Sequence, residues 1–148
     1  MRTLNDAIVL ASMLHAGQID KNGEPYILHP LRVMLRLESE EDRIVGVLHD
    51  VSEDRKLTSE ILREMGYSSV VTEALSYVTK LPEEEHDYPA FIRRIASGPI
   101  TAIRVKLADI ADNTDPNRCT KDDERTRARM KKYALAKDVL EAELKKRK

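Results

Sequence analysis

The chain has 148 residues, enough for one ordinary domain with a core of its own. Hydrophobic residues at 41% and charged residues at 34% exclude a disordered chain, and a net charge of −1 excludes an overall electrostatic pull toward nucleic acid or an anionic membrane. A single cysteine, Cys119, excludes an internal disulfide, and no apolar run is long enough for a membrane span, so a cytoplasmic protein without a targeting or spanning segment is expected.

Apolar residues recur at helical spacing through nearly the whole sequence, first at Leu4, Ile8, Ala11 and Leu14. This helix ends near Gly17, and Gly23 with Pro25 turns the following run, QIDKNGEPYIL, into an extended loop. Pro30 suits the first turn of a helix, which places His29 at its entrance. Ser39 offers a capping hydroxyl, and Glu40, Glu41 and Asp42 supply the acids that a helix N-terminus attracts. Ile44, Val45, Val47 and Leu48 then form a buried face that runs into His49 and Asp50. Thr58 caps a short helix ended by Gly66, and Ser68 or Ser69 caps another whose Val70, Val71, Leu75 and Val78 face the core. Leu81 to Asp87, LPEEEHD, reads as a solvated acidic loop.

A helix over Tyr88 to Ala96 turns Phe91, Ile92 and Ile95 inward, Gly98-Pro99 interrupts the chain, and Ile103, Val105, Leu107 and Ala108 mark a helix that crosses the core toward Asp109. Thr120 caps a C-terminal helix over 120–148 with a stripe of Met130, Tyr133, Ala134, Val139 and Leu140. That stripe is left to pack either internally or on a second copy of the chain. No alternating run supports a strand, so the expected fold is all-α, a single-domain helical bundle of irregular topology over 1–148.

Three separated segments carry metal-binding residue types beside apolar helical runs: His29, then His49 and Asp50, then Asp109. Two imidazoles and two carboxylates form a mixed donor set that suits Mn²⁺, Fe²⁺ or Zn²⁺ better than calcium, with positions left for water and a phosphate oxygen. Such an ion serves the hydrolysis of a phosphate ester or anhydride. Glu53 and Asp54 follow His49 by four and five residues, where a carboxylate can orient water or shuttle its proton. Taken singly, His29 reads first as a core or capping histidine, and Glu53 and Asp54 read equally well as surface acids. The combination favours a site. Asp109 has Arg104 and Lys106 as rival partners, both read as poorly placed to share its helical face. His15 and Gln18 either line the pocket or fix the first helix against the loop. Arg93 and Arg94, beside Tyr88 and Phe91, either clamp a nucleotide or pack. With no Trp and one Phe, the chain lacks the stacking platforms of a nucleic-acid binder.

Four words of the sequence, HAGQIDKNGEPYILHP from His15, VLHDVSED from Val47, VTKL from Val78 and VKLADIADN from Val105, resemble the HD-domain phosphohydrolases. Within that group the resemblance is to the hydrolase domain of RelA/SpoT proteins and the small, stand-alone alarmone hydrolases. It spans most of residues 1 to 118 and implies an HD-type fold. It also implies Mn²⁺ on His29, His49, Asp50 and Asp109, with Glu53 and Asp54 as the catalytic acidic pair. The implied reaction removes the 3′-pyrophosphate of guanosine tetra- and pentaphosphate, with nucleotide contacts from Lys21 and Asn113. Two departures stand out. The loop after VTKL is PEEEHD where the family is usually basic, which would repel a polyphosphate, and Ala111-Asp112-Asn113 replaces a Leu-His-Asn run, suggesting a different base or ribose pocket. The alternatives are a related phosphohydrolase of another nucleotide, or a metal-bearing nucleotide sensor or docking module without turnover.

Overall fold

The computed structural model describes residues 1–54, 57–118 and 121–147, without the side chains of 52–54. Among the described residues the chain forms eight α-helices: α1 (Leu4–Leu14), α2 (Leu28–Leu35), α3 (Glu40–Asp54), α4 (Ser59–Glu64), α5 (Ser69–Val78), α6 (Tyr88–Ala96), α7 (Ile100–Asn113) and α8 (Glu124–Lys146). They include no strand, only an isolated antiparallel bridge between Ile19 and Pro25 that pinches the loop before α2. No helix among them is long and apolar enough to cross a membrane.

The starts of α1, α3, α4 and α5 follow from hydroxyl caps. Thr58 and Ser68 accept from the amides of Ile61 and Val71 at 3.2 and 3.3 Å, and Ser39 accepts from Asp42 at 3.1 Å. Thr3, which the periodicity does not reveal as a cap, opens α1 in a reciprocal arrangement with Asp6. The expected cap Thr120 lies outside the described residues. The cap of α8 is instead Asp123, which accepts from the Thr126 amide at 2.8 Å.

The inward stripe of α8 also differs from expectation. Thr126, Ala136 and Leu140 are buried and Tyr133 half-buried, whereas Ala134 and Val139 are exposed. With so few apolar residues in a charged helix, the phase of its buried face is set by small residues that the apolar count passes over. Similarly, α5 buries Val71, Leu75 and Val78 but leaves Val70 exposed. Arg147, just after α8, donates to the Gly98 and Ala96 carbonyls at 2.6 and 2.8 Å, fastening the helix to the end of α6.

Helix α3 is the central strut, packed against α1, α2, α5 and α7. Its Ile44, Val45, Val47, Leu48 and Val51 are all buried, a spread wide enough to face several neighbours. Gly46 lets the end of α2 and the Leu37 side chain after it sit close, since a Cβ there would meet Met34 Cα at 3.5 Å and Leu37 Cδ1 at 2.8 Å. One continuous core cluster runs through these helices and reaches Ala136 and Leu140 of α8.

The acidic segment before α6 is not simply solvated. Pro82–Glu84 forms a 3-10 turn that buries Glu84, whose carboxylate accepts from Arg94 Nε and Nη2 at 2.8 and 2.9 Å and from the Leu81 amide at 2.9 Å. Arg94 also donates to the Thr79 carbonyl at 2.8 Å and lies over the Tyr77 and Phe91 rings, so of its two readings the packing one holds. Removing the guanidinium strands a buried carboxylate, and Arg94→Ala is expected to cost about 3–5 kcal/mol in denaturant unfolding. The Arg94 hydrogen bonds hold the Glu84 carboxyl below its ordinary 4.5, outweighing burial. A depressed folded pKa means the stabilisation is whole above the unfolded value and is lost as pH falls through the folded one. Glu84→Gln should therefore flatten the acid side of a melting-temperature profile.

Candidate metal centre and its cavity

Three helices converge on one point. His29 is the second residue of α2, His49 and Asp50 lie toward the end of α3, and Asp109 lies past the middle of α7. The Nε2 atoms of His29 and His49 stand 2.9 and 3.2 Å from the same Asp109 Oδ1. Asp50 Oδ2 stands 3.3 Å from His49 Nε2 and 3.7 Å from His29 Nε2. One donor atom each from His29, His49 and Asp50 fits within 4.8 Å, the spacing of groups that share an ion.

Each of these groups is aimed by a second bond. His49 Nδ1–H donates to the Gly46 carbonyl, one turn back on α3, at 2.6 Å, which turns Nε2 toward the carboxylates. Tyr26 donates its hydroxyl to Asp50 Oδ2 at 2.5 Å. His29 Nδ1–H donates to Asp112 Oδ2 at 2.6 Å. Asp109 accepts from Lys106 Nζ at 2.9 Å and from Asn113 Nδ2 at 3.2 Å. The Lys106 bond corrects the sequence reading, because residues three apart do share a helical face. Arg104, in contrast, pairs with Asp42 at 3.4 Å.

The electrostatics express competition for positive charge. Burial alone would lower the His49 pKa, but Asp50 and Asp109 outweigh it and lift it to about 10. His29 is raised as well, burial being overcome by hydrogen bonds to Asp109 and Asp112. Burial would raise the Asp109 carboxyl, yet Lys106 and His49 hold it well below its usual range. Asp112 is likewise held at about 2, its burial offset by His29 and Arg32. Carboxylates that draw protons onto two buried imidazoles present a donor set that a divalent cation satisfies equally well, exchanging for those protons. The residues therefore fit an ion with mixed nitrogen and oxygen ligands.

A cavity of about 370 Å³ opens beside this cluster, with His29, Tyr26 and Asn113 in its lining, the 18–22 loop on one side and Thr126, Arg129 and Tyr133 of α8 on another. Its volume falls in the range of small-molecule sites. Among the described residues, Lys21, Arg118, Lys121 and Arg129 give the lining four cations against the acid Asp20, in a chain whose net charge is −1. The positive charge is concentrated where an anion would enter.

Of the site residues expected from sequence, His29, His49, Asp50 and Asp109 meet, and Lys21 and Asn113 line the cavity. His15 does not line it. Buried at the end of α1, it donates Nδ1–H to Gln18 at 2.9 Å and packs its ring 5.1 Å from Tyr26, so it fixes the helix against the loop. Glu53 and Asp54 occupy the last positions of α3, and their side chains lie outside the described residues. Residues that sequence reasoning missed are Tyr26, Asp112, Arg118 and Arg129. Asp112 is not in the cavity lining, so the departure in the last motif does not reshape a base pocket directly. The PEEEHD loop is absent from that lining too, and its Glu84 is neutralised by Arg94.

No protein-family model matches the chain. It is 35% identical over 123 residues to a GTP pyrophosphokinase of Myxococcus xanthus, covering 75% of this chain and 16% of that protein. It is 35% identical over 117 residues to the guanosine-3′,5′-bis(diphosphate) 3′-pyrophosphohydrolase of Aquifex aeolicus, covering 72% and 16%. With the bifunctional (p)ppGpp synthase/hydrolase SpoT of Escherichia coli it shares 30% identity over 122 residues, covering 77% and 17%. The chain thus matches about one sixth of the length of these curated relatives. Its fold is that of a metazoan orthologue of SpoT that hydrolyses ppGpp, with a TM-score of 0.80, 21% identity, and coverage of 97% of this chain and 92% of that one.

Proposed function

We propose, since this chain belongs by homology with the RelA/SpoT hydrolase domains, that it removes the 3′-pyrophosphate of guanosine tetra- or pentaphosphate, with residues 1–148 acting as one hydrolase domain in the cytoplasm. The observation that carries this reading is the meeting of two imidazoles and two carboxylates beside a cationic cavity.

In this reading His29, His49, Asp50 and Asp109 hold a divalent ion, Mn²⁺ by preference, with Fe²⁺ and Zn²⁺ as alternatives. Such an ion lowers the pKa of water and neutralises phosphoryl oxygens. The chain's own groups do the rest. Tyr26 fixes the Asp50 carboxylate through its hydroxyl, and Lys106 and Asn113 fix Asp109. Glu53 lies one helical turn beyond His49 on α3, and with Asp54 it positions the attacking water and takes its proton as the water oxygen bonds the phosphorus next to the ribose. The bond from that phosphorus to the ribose 3′-oxygen breaks, and the 3′-oxygen leaves as a hydroxyl with a proton returned from the acidic pair. Lys21, Arg118 and Arg129 bind the phosphate arms, and Tyr133 offers its ring to the base. Asn113 reaches the nucleotide from the same wall that supports Asp109.

Pyrophosphate and phosphate release would be measured on guanosine tetraphosphate, ordinary nucleoside triphosphates, a dinucleotide phosphate and a generic ester, each with Mn²⁺ and with chelator. Pyrophosphate from the tetraphosphate, abolished by chelator, is the expected result. Metal-dependent release from another compound alone would replace the substrate, and silence across the panel would favour a nucleotide sensor.

A further inference from the structure

Asp112 is fully buried, yet it belongs to neither the four-residue cluster nor the cavity wall. Three cationic or donor groups converge on it. Oδ2 accepts from His29 Nδ1 and from Arg118 Nη1, each at 2.6 Å, and Oδ1 accepts from Arg32 Nε at 2.8 Å. Arg118 also donates to the Asp112 carbonyl at 3.1 Å. A carboxylate taken wholly out of water and given this many partners is not a surface acid that happens to face inward.

Asp109 and Asp112 are three residues apart on α7 and so present their side chains from one face. Between them they grip both nitrogens of a single ring, Asp109 at Nε2 and Asp112 at Nδ1. With Nδ1 committed as a donor, the tautomer and the rotation of the ring are both set, and Nε2 is left to face Asp109 and Asp50. The other side of Asp112 leads to the cavity. The Arg118 carbonyl accepts from Asn22 Nδ2 at 3.3 Å, and its guanidinium lies 3.8 Å from Asp20, so the same residue that holds Asp112 also holds the loop carrying Lys21.

We propose that Asp112 is a positioning residue: acting through His29 it presents Nε2 for metal coordination, and through Arg118 it ties that ring to the substrate loop. This rests on the reading of His29 as a ligand. Partners of this kind behind a ligating histidine typically change metal affinity by about 10- to 100-fold when removed.

The test is a double-mutant cycle on Mn²⁺ affinity, titrated calorimetrically into the full-length protein. Asp112→Asn should weaken binding by about 10- to 100-fold. It should also displace the His29 Nδ1 proton resonance, a signature that a merely structural lesion elsewhere would leave in place. In a His29→Gln background the Asp112 substitution should cause no further loss. A folded Asp112→Asn protein with undiminished affinity and an unchanged resonance overturns the proposal, as do losses that multiply. If His29→Gln alone leaves Mn²⁺ binding intact, the ligand reading falls and takes this proposal with it. If His29→Gln weakens binding and Asp112→Asn does not, only the proposal falls. Should Asp112→Asn fail to fold, Arg32→Gln frees Oδ1 from a partly exposed guanidinium and reads the same coupling. A lowered affinity that vanishes in the His29→Gln background supports the proposal, and an unchanged affinity overturns it.

Discussion

Asp109→Asn is expected to abolish Mn²⁺ binding and to lower pyrophosphate release by about 10⁴-fold, the scale of loss when one member of a catalytic unit is removed. The reason lies in how many groups depend on this one carboxylate. Both imidazole Nε2 atoms, Lys106 and Asn113 all bond to it. Neutralising it also leaves Lys106 buried without its counter-charge, which should lower unfolding stability by about 3–5 kcal/mol. The two losses are separable. Adding Lys106→Met removes the stranded ammonium and should recover much of the stability, while metal binding stays absent. Stoichiometric Mn²⁺ binding by Asp109→Asn would remove Asp109 from the ligand set.

Glu53→Gln should behave differently, retaining full metal affinity while turnover falls by about 10²- to 10⁴-fold, the range attributed to a positioned proton acceptor. The amide keeps the shape of the side chain and removes its basicity. Metal affinity by calorimetry and single-turnover rates of pyrophosphate release, measured on the same preparation, distinguish this outcome from damage to the metal cluster. If Glu53→Gln turns over normally and Asp54→Asn does not, the proton passes to Asp54. Normal rates in both would take the acidic pair out of the mechanism.

The helices were legible because apolar spacing, hydroxyl caps and glycine stops are local signals. Thr58, Ser68 and Gly66 bound α4 and α5 where the sequence expects them. The residues His29, His49, Asp50 and Asp109 stood out because each interrupts an apolar run with a group that is costly to bury alone. What stayed hidden depends on pairing between distant parts of the chain. Asp112 and His29 are separated by 83 positions, and nothing in the local pattern of either announces the other. Glu84 reads as one more acid in a solvated loop because its neutralising partner, Arg94, sits on the following helix. The α8 stripe was misphased for a related reason: its buried positions include Thr126 and Ala136, which carry little apolar signal.

The origin of the cavity's outer wall has a further consequence. Arg129 and Tyr133 come from α8, which supplies none of the four side chains at the convergence point, and α8 is seated by Ala136, Leu140 and the Arg147 bonds to the end of α6. The cluster of His29, His49, Asp50 and Asp109 and this wall of the cavity therefore sit on different helices. Substitutions along one face of α8 are expected to change which anions the cavity accepts while the convergence of α2, α3 and α7 keeps its geometry, so chains that share the four-residue cluster need not share a ligand.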